Sequence, residues 1–144
     1  KVVEANTLLS GLGFESGGLA VAHSVAQSYT AVPAVHANYL HGEMVAMGTL
    51  TQLTMESEEE ARRVAEFFVE VGLPVHLGQI SLAADDGAAL ATVIETTMAS
   101  PIIHNMTMPM TTEYVRASIL GAHELGLSVT ESSGDDAYRK LHGA

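Results

Sequence analysis

Two of the seven histidines in this 144-residue sequence, His23 and His41, occupy positions at which an imidazole could hold a metal. Each is flanked by apolar or small residues at helical spacing, and the chain has no cysteine, so any metal would take imidazole and carboxylate ligands. Two neutral imidazoles and one carboxylate form an open site for Zn²⁺ or Fe²⁺. The separation of 18 positions permits the two rings to meet across adjacent helices. A core histidine bonded to carbonyl groups is the alternative at each position, and the residues alone leave it open.

Other titratable residues are better explained by structural roles. Glu43 follows His41 by two positions, so on a helix its carboxylate points to a different side. We therefore favour an interaction of Glu43 with the amino-terminal end of the helix dipole, with metal ligation as the alternative. For His76, His123 and His142 we favour a hydrogen-bonded core position or simple exposure.

Charge and hydropathy exclude several classes of partner. The net charge is −11 with only 6 Lys and Arg residues, so phosphate backbones and anionic lipid surfaces would be repelled. Although 47% of the residues are hydrophobic, no run reaches the roughly 18 apolar residues that a membrane span needs. We find no signal peptide and expect a cytoplasmic protein that binds neither nucleic acid nor membranes. The opening stretch KVVEANTLLSGLGF has helical periodicity without a preceding cap, which indicates a piece of a longer protein.

Most of the chain has the periodicity and the end signals of α-helices. Ser57 and Glu60 form a capping-box pattern ahead of an apolar stripe, and Gly72 is placed to end that helix. A further helix is predicted from Asp85 or Asp86 to about Met98.

The carboxyl-terminal part is predicted to contain one long helix and little else. That helix runs from about Thr112 to Leu125 and ends at Gly126. Strand signals are limited to short pieces such as VHLGQI. The fold class is therefore all-α, a multi-helix bundle that forms one helical domain over residues 1–130, followed by a polar tail at 131–144 that is frayed or only briefly helical.

Small residues precede His23 in the stretch GFESGGLAVAHSVAQ. Glycine inside a helix costs up to about 1 kcal/mol relative to alanine. The pair Gly17 and Gly18 therefore predicts that backbone or a ligand approaches closely just before His23.

Four stretches together resemble a known family: EANTLLSGLGFESGGLAVAHSVAQ, HGEMVAMGTLTQL, VGLPVHLGQI and IIHNM. They are similar to the carboxyl-terminal helical half of bacterial glycerol dehydrogenases, in the iron-containing and dehydroquinate-synthase-like alcohol dehydrogenase superfamily. The resemblance covers about residues 2–129, and the first two stretches at this spacing are its most specific part.

The resemblance implies a site residue by residue. His23 matches the first metal-binding histidine, His41 the second, and Phe14 an aromatic residue that lines the pocket near nicotinamide and substrate. The third ligand of the family is an aspartate that would precede the first residue of this chain, and no Asp occurs here before Asp85. The stretch before His41 also departs from the family, which leaves the role of His36 open. We expect Zn²⁺, with Fe²⁺ possible since such ligand sets suit both ions.

The resemblance also implies partners and an activity. Glycerol, or another vicinal diol, would be oxidised with NAD, glycerol giving dihydroxyacetone, and NAD would be bound by an amino-terminal domain or large subunit that this chain lacks. The chain would then be a small subunit, a cleavage product or a truncated form of an oligomeric enzyme, and inactive alone. A non-catalytic helical remnant or interaction module is the alternative.

Overall fold

A computed structural model describes residues 20–143, and the predicted pocket residue Phe14 lies outside them. Within that range the chain forms seven α-helices and two 3₁₀ helices and contains no strand. The prediction of an all-α helical bundle is therefore confirmed. The α-helices are α1 (Ala20–Thr30), α2 (Pro33–Asn38), α3 (His41–Glu56), α4 (Glu58–Val71), α5 (Gly87–Ala99), α6 (Thr112–Ser133) and α7 (Asp136–His142), and the 3₁₀ helices are Leu77–Ile80 and Pro101–Asn105.

Helix α3 lies at the centre of the bundle. Of its 16 residues, 10 are buried, so it is enclosed on most of its circumference. Met44 and Met47 belong to a core cluster shared with α1, α5 and α6. Leu50 and Leu53 belong to a second cluster shared with α4 and α6. The helix that begins with His41 therefore takes part in both cores.

A glycine brings the backbones of α1 and α3 into direct contact. A Cβ atom on Gly48 would overlap the carbonyl oxygen of Ala22, and the Ala22 carbonyl carbon would lie 3.0 Å away. One turn further along α3, the side-chain oxygen of Gln52 accepts a hydrogen bond from the backbone N–H of Ala22 (3.0 Å). This contact fixes α1 on α3 at the residue immediately before His23.

Helices α1 and α5 are joined by pairs of hydroxyl groups. The Ser28 and Thr97 hydroxyls are hydrogen bonded at 2.7 Å, and the Ser24 and Ser100 hydroxyls at 2.9 Å. Three of these hydroxyls also lie within hydrogen-bond distance of the carbonyl oxygen one turn earlier in their own helix, namely those of Ser24, Ser28 and Thr97. Buried polar groups on this interface are thus satisfied by one another.

Three predicted helix ends are confirmed in atomic detail. The Ser57 hydroxyl accepts from the backbone N–H of Glu60 (3.3 Å), and the carboxylate of Asp86 accepts from that of Ala89 (3.0 Å). Gly72 ends α4 in the left-handed conformation with φ of 83°. In each case the helix end is determined by a hydrogen bond or a dihedral angle that involves only residues close together in the sequence.

One local prediction is wrong, and the weak strand signal corresponds to no strand. Helix α6 does not end at Leu125 but continues through Gly126 to Ser133. A Cβ on Gly126 would overlap the carbonyl oxygen of Val75, so this glycine permits close packing rather than ending a helix. The segment VHLGQI contains the 3₁₀ helix Leu77–Ile80 and no strand. Its backbone is turned because the Gln79 side chain accepts from the N–H of Val75 (2.7 Å).

The polar tail forms a short helix that is attached to the bundle. Helix α7 spans 7 residues, in agreement with a brief helix, but its Tyr138 side chain is buried. A Cβ on Gly72 would lie 2.9 Å from the carbonyl oxygen of Ala137, so α7 crosses closely over the end of α4. The last turns of the chain are therefore packed against its middle.

The contact at Gly48 predicts a large effect of one methyl group. We expect Gly48→Ala to destabilise the chain by about 2 kcal/mol, because overpacking outweighs the better helix propensity of alanine. Gly87→Ala is the matched control, since a Cβ there meets no atom within 4 Å. Urea unfolding followed by circular dichroism should show a lower midpoint for the first variant and an equal or higher one for the second. Equal midpoints for both variants would contradict the proposed backbone contact.

Candidate functional site

The two predicted metal ligands lie on helices that are packed directly together. His23 is half-buried on α1 and follows Ala22, the residue in contact with Gly48. His41 is the exposed first residue of α3, seven positions or nearly two turns before Gly48, and so shares its face. The structure thus places both histidines along one helix pair, with about 10 Å of α3 between His41 and the backbone contact.

Both imidazoles are free of other described partners. Within residues 20–143 neither His23 nor His41 makes a hydrogen bond, ion pair or ring contact with another side chain. The same part of the chain holds no group of three or more His, Cys, Asp or Glu side chains that could bind a metal. The described residues therefore offer two imidazoles, and any further ligand must come from elsewhere.

Glu43 has the structural role that its position predicted. Its Oε2 atom accepts a hydrogen bond from the backbone N–H of Leu40 (2.8 Å), which precedes the helix. Its Oε1 atom is paired with Nε2 of His142. With both oxygens engaged and only 8% of the residue exposed, Glu43 stabilises the beginning of α3 rather than presenting a free ligand.

His142 has a partner on each side of its ring, in agreement with the hydrogen-bonded position favoured for it. Nδ1 lies 2.8 Å from the carbonyl oxygen of Tyr138, and Nε2 faces Glu43. The ring stacks on that of Tyr138 with centroids 3.9 Å apart. The spacing of four positions between Tyr138 and His142 was the available signal, because it places both rings on one face of a helix. The partner Glu43, 99 positions away, could not be read from the sequence.

Tyr138 attaches α7 to the rest of this region. Its hydroxyl donates to the carbonyl oxygen of Gln79. Burial, together with the nearby Tyr39 and Glu43, raises the pKa of Tyr138 far above its ordinary value, so the hydroxyl stays a donor. Tyr39 is itself hydrogen bonded to the Ser81 hydroxyl (2.7 Å).

A polar groove of about 790 Å³ runs between α7 and the segments that it contacts. Its wall contains rings, amides and a salt-bridged pair, Arg139 with Asp135, at 2.7 Å. The lining residues are Asn38, Tyr39, His76, Gly78, Gln79, Ser81, Asp135, Tyr138, Arg139 and His142.

In a second histidine pair, His123 has the hydrogen-bonded position that we favoured for it, whereas Nδ1 of His76 is buried without a partner among the described residues. Nδ1 of His123 accepts from the backbone N–H of Leu77 (3.0 Å), and the His76 and His123 rings lie edge to face at 6.0 Å. Burial lowers the pKa of both imidazoles, and the neighbouring His123 lowers that of His76 further. Asp135 and Glu124 oppose these shifts only in part. Both rings are therefore held neutral in the folded chain.

None of the helices in residues 20–143 is long and apolar enough to cross a membrane.

Comparison with known proteins gives related sequences and a related structure. The chain is 47% identical over 129 residues to the glycerol dehydrogenase of Escherichia coli O6:H1, a match that covers 88% of this chain and 35% of that protein. It is 45% identical over 133 residues to the glycolaldehyde reductase of Halobacterium salinarum, covering 90% and 36%. The crystal structure of glycerol dehydrogenase from Schizosaccharomyces pombe matches with a TM-score of 0.73 at 35% identity, over 92% of this chain and 34% of the other. No family model matches the sequence. The chain spans about a third of the length of the curated relatives that it matches.

The neutral histidine pair predicts a loss of stability in acid. Because the folded-state pKa values are lowered, the unfolded chain takes up protons first, and stability falls as the pH drops through the ordinary histidine value of about 6.5. His123→Asn keeps an acceptor for the Leu77 N–H without titrating and should flatten this dependence. Urea unfolding at a series of pH values measures the slope. His36→Asn, at an exposed position, is the control and should keep the original slope; an unchanged slope in His123→Asn would contradict the assignment.

Proposed function

We propose that this chain is the metal-bearing part of an NAD-dependent glycerol dehydrogenase. The chain is similar in sequence and fold to the helical carboxyl-terminal domain of glycerol dehydrogenases. In this proposal the complete enzyme oxidises glycerol to dihydroxyacetone. The observation that carries it is the match of nearly the whole chain to proteins of that name. Because the chain spans only a third of those proteins, it is incomplete without a domain that binds NAD.

In this proposal the two histidines supply nitrogen ligands for a divalent metal. His23 and His41 have no competing hydrogen bonds among the described residues, so their ring nitrogens are available. In a chain without cysteine, this donor set suits Zn²⁺, the ion we propose, and also Fe²⁺. A third ligand, an aspartate, would come from the part of the enzyme that precedes this chain. A divalent ion held there would supply a Lewis acid toward the hydroxyl groups of a vicinal diol.

The protein's own contribution is to hold the ligands rigidly and at different depths. His23 is half-buried beside the contact of Ala22 with Gly48, so its backbone has little freedom to move. His41 is exposed at the start of a helix, where it can face a second domain. Phe14 would help to shape the pocket and exclude water next to the nicotinamide.

The partners follow from this division of labour. We propose an NAD-binding domain or large subunit that carries the aspartate, glycerol or another vicinal diol as substrate, and an oligomeric assembly in the cytoplasm. The similarity to a glycolaldehyde reductase favours a second candidate, in which the same site acts on that smaller carbonyl compound. A helical remnant without chemistry is the outcome to be tested against both.

The isolated 144 residues should show no NAD-dependent oxidation of glycerol, because they correspond to only about a third of the glycerol dehydrogenases that they match. Activity should appear when the chain is purified from its own source together with a polypeptide that binds NAD, measured as formation of NADH at 340 nm. Turnover by the verified chain alone would refute the division into two parts. Glycolaldehyde as substrate in the reverse direction distinguishes the two candidate activities.

Removing either proposed ligand should remove the metal. In the complex with the cofactor domain we expect about one zinc ion per pair, and a loss of affinity well beyond about tenfold in His23→Ala and in His41→Ala, since even outer contacts of a ligand contribute about that much. His104→Ala is the control, because His104 is an exposed histidine on a different element. Native mass spectrometry with elemental analysis counts the ions. A metal-free wild-type complex would favour the remnant.

A further inference from the structure

We propose that His142 and Glu43 are positioning residues for His41. Helix α7 would hold the first turn of α3 through this pair and so set the direction of the His41 imidazole. The inference rests on the proposed function for the role of His41 as a ligand. It adds a residue, His142, from a part of the chain that has no other place in the proposed site.

The first turn of α3 is closed by reciprocal bonds around His41. The backbone N–H of Leu40 donates to Glu43 Oε2 (2.8 Å). The carbonyl oxygen of Leu40 accepts from the backbone N–H groups of Glu43 (3.0 Å) and Met44 (3.3 Å). His41 lies inside this ring of bonds, so the path of its backbone depends on where the Glu43 side chain is held.

Glu43 is held from outside its own helix. Its other oxygen is paired with Nε2 of His142, and the residue is only 8% exposed. A buried carboxylate without this partner would be left with unsatisfied acceptor capacity, which favours a change in its rotamer. Because His142 Nδ1 also faces the Tyr138 carbonyl oxygen at 2.8 Å, the imidazole is fixed in orientation at both nitrogens.

Helix α7 has anchors of its own and can therefore serve as the support. The Tyr138 hydroxyl donates to the Gln79 carbonyl oxygen, and the Tyr138 ring stacks on His142 at 3.9 Å. The close crossing of Gly72 and Ala137 attaches the same helix to α4. None of these contacts involves α3, so the position of His142 does not depend on Glu43.

His41 itself has no second attachment. Its side chain is exposed and makes no hydrogen bond within the described range. The backbone next to His23 is held by the contact of Ala22 with Gly48. Among the described residues, His41 is held only by the first turn of α3, and in this proposal the contact two residues later therefore controls its direction. Groups that hydrogen bond directly to a ligand typically change metal affinity by about 10- to 100-fold, and for this more remote pair we expect an effect near the lower end.

The test compares two replacements of His142 that differ in hydrogen bonding. His142→Leu fills the space above Tyr138 but cannot donate to Glu43, whereas His142→Gln restores an amide donor at about the reach of Nε2. Arg139→Ala is the matched control, because it removes an exposed ion pair of α7 without touching Glu43. The complex with the cofactor domain is titrated with Zn²⁺ alone by calorimetry. The His41 ring of the 144-residue chain is followed by long-range ¹H–¹⁵N NMR, with its signals assigned from His41→Ala.

We expect His142→Leu to lower the Zn²⁺ affinity by about tenfold or more and to shift the His41 ring signals, with His142→Gln and Arg139→Ala within about threefold of the wild type. Equal effects of Leu and Gln, or no effect of Leu, would overturn the inference. Glu43→Gln tests the contact from its other side, should His142→Leu not fold. Combined with His142→Leu it should add no further loss, because both act through one contact. Additive losses would also overturn it.

Failure of the proposed function gives a different pattern. If the wild-type complex takes up no Zn²⁺, or if its uptake does not depend on His41, the metal role is wrong. The NMR signals of His41 then decide on the positioning alone: a shift in His142→Leu that is absent in His142→Gln and Arg139→Ala supports it, and unchanged signals refute it.

Discussion

The close approach of α1 to α3 is the constraint on which the rest of the bundle depends. It requires glycine at position 48, since any side chain there would meet the Ala22 carbonyl group. Because the α1 backbone contacts the α3 backbone, α1 covers one side of α3. Helix α3 contributes side chains to both core clusters. The same contact fixes the residue before His23. One missing methyl group thus connects the packing of the core with the location of a proposed ligand.

The parts of the fold that sequence reasoning predicted are those decided within a few residues. Ser57 and Asp86 cap helices with bonds to backbone three positions on, and Gly72 supplies a left-handed dihedral angle. The errors arise where a distant segment decides. In the sequence Gly126 resembles a helix end. In the structure it lies so close to the carbonyl group of Val75, about 50 positions away, that there is no room for a side chain.

The proposed site divides in the same way. Residue types around His23 and His41, together with the confirmed resemblance to glycerol dehydrogenases, were enough to select these two histidines, and Glu43 takes the helix-start role that its spacing indicated. The pairing of His142 with Glu43 was not predicted, because the two residues are 99 positions apart in the sequence. Such a pairing depends on where α7 crosses the bundle, and the periodicity of a short stretch of sequence does not predict that position.

The hydroxyl pairs between α1 and α5 have a mechanical consequence. Ser24 and Ser28 are one turn apart on α1. Their partners are three positions apart, Thr97 in the last turn of α5 and Ser100 immediately after it. Sliding α1 along its axis by one turn, about 5.4 Å, would keep at most one of the two pairs, at a cost of about 0.5–1.5 kcal/mol for the hydrogen bond lost. The two pairs therefore favour one position of α1 along the axis of the α1–α5 contact. The height of His23 in the bundle is therefore set by α5, a helix that carries neither of the two proposed ligands.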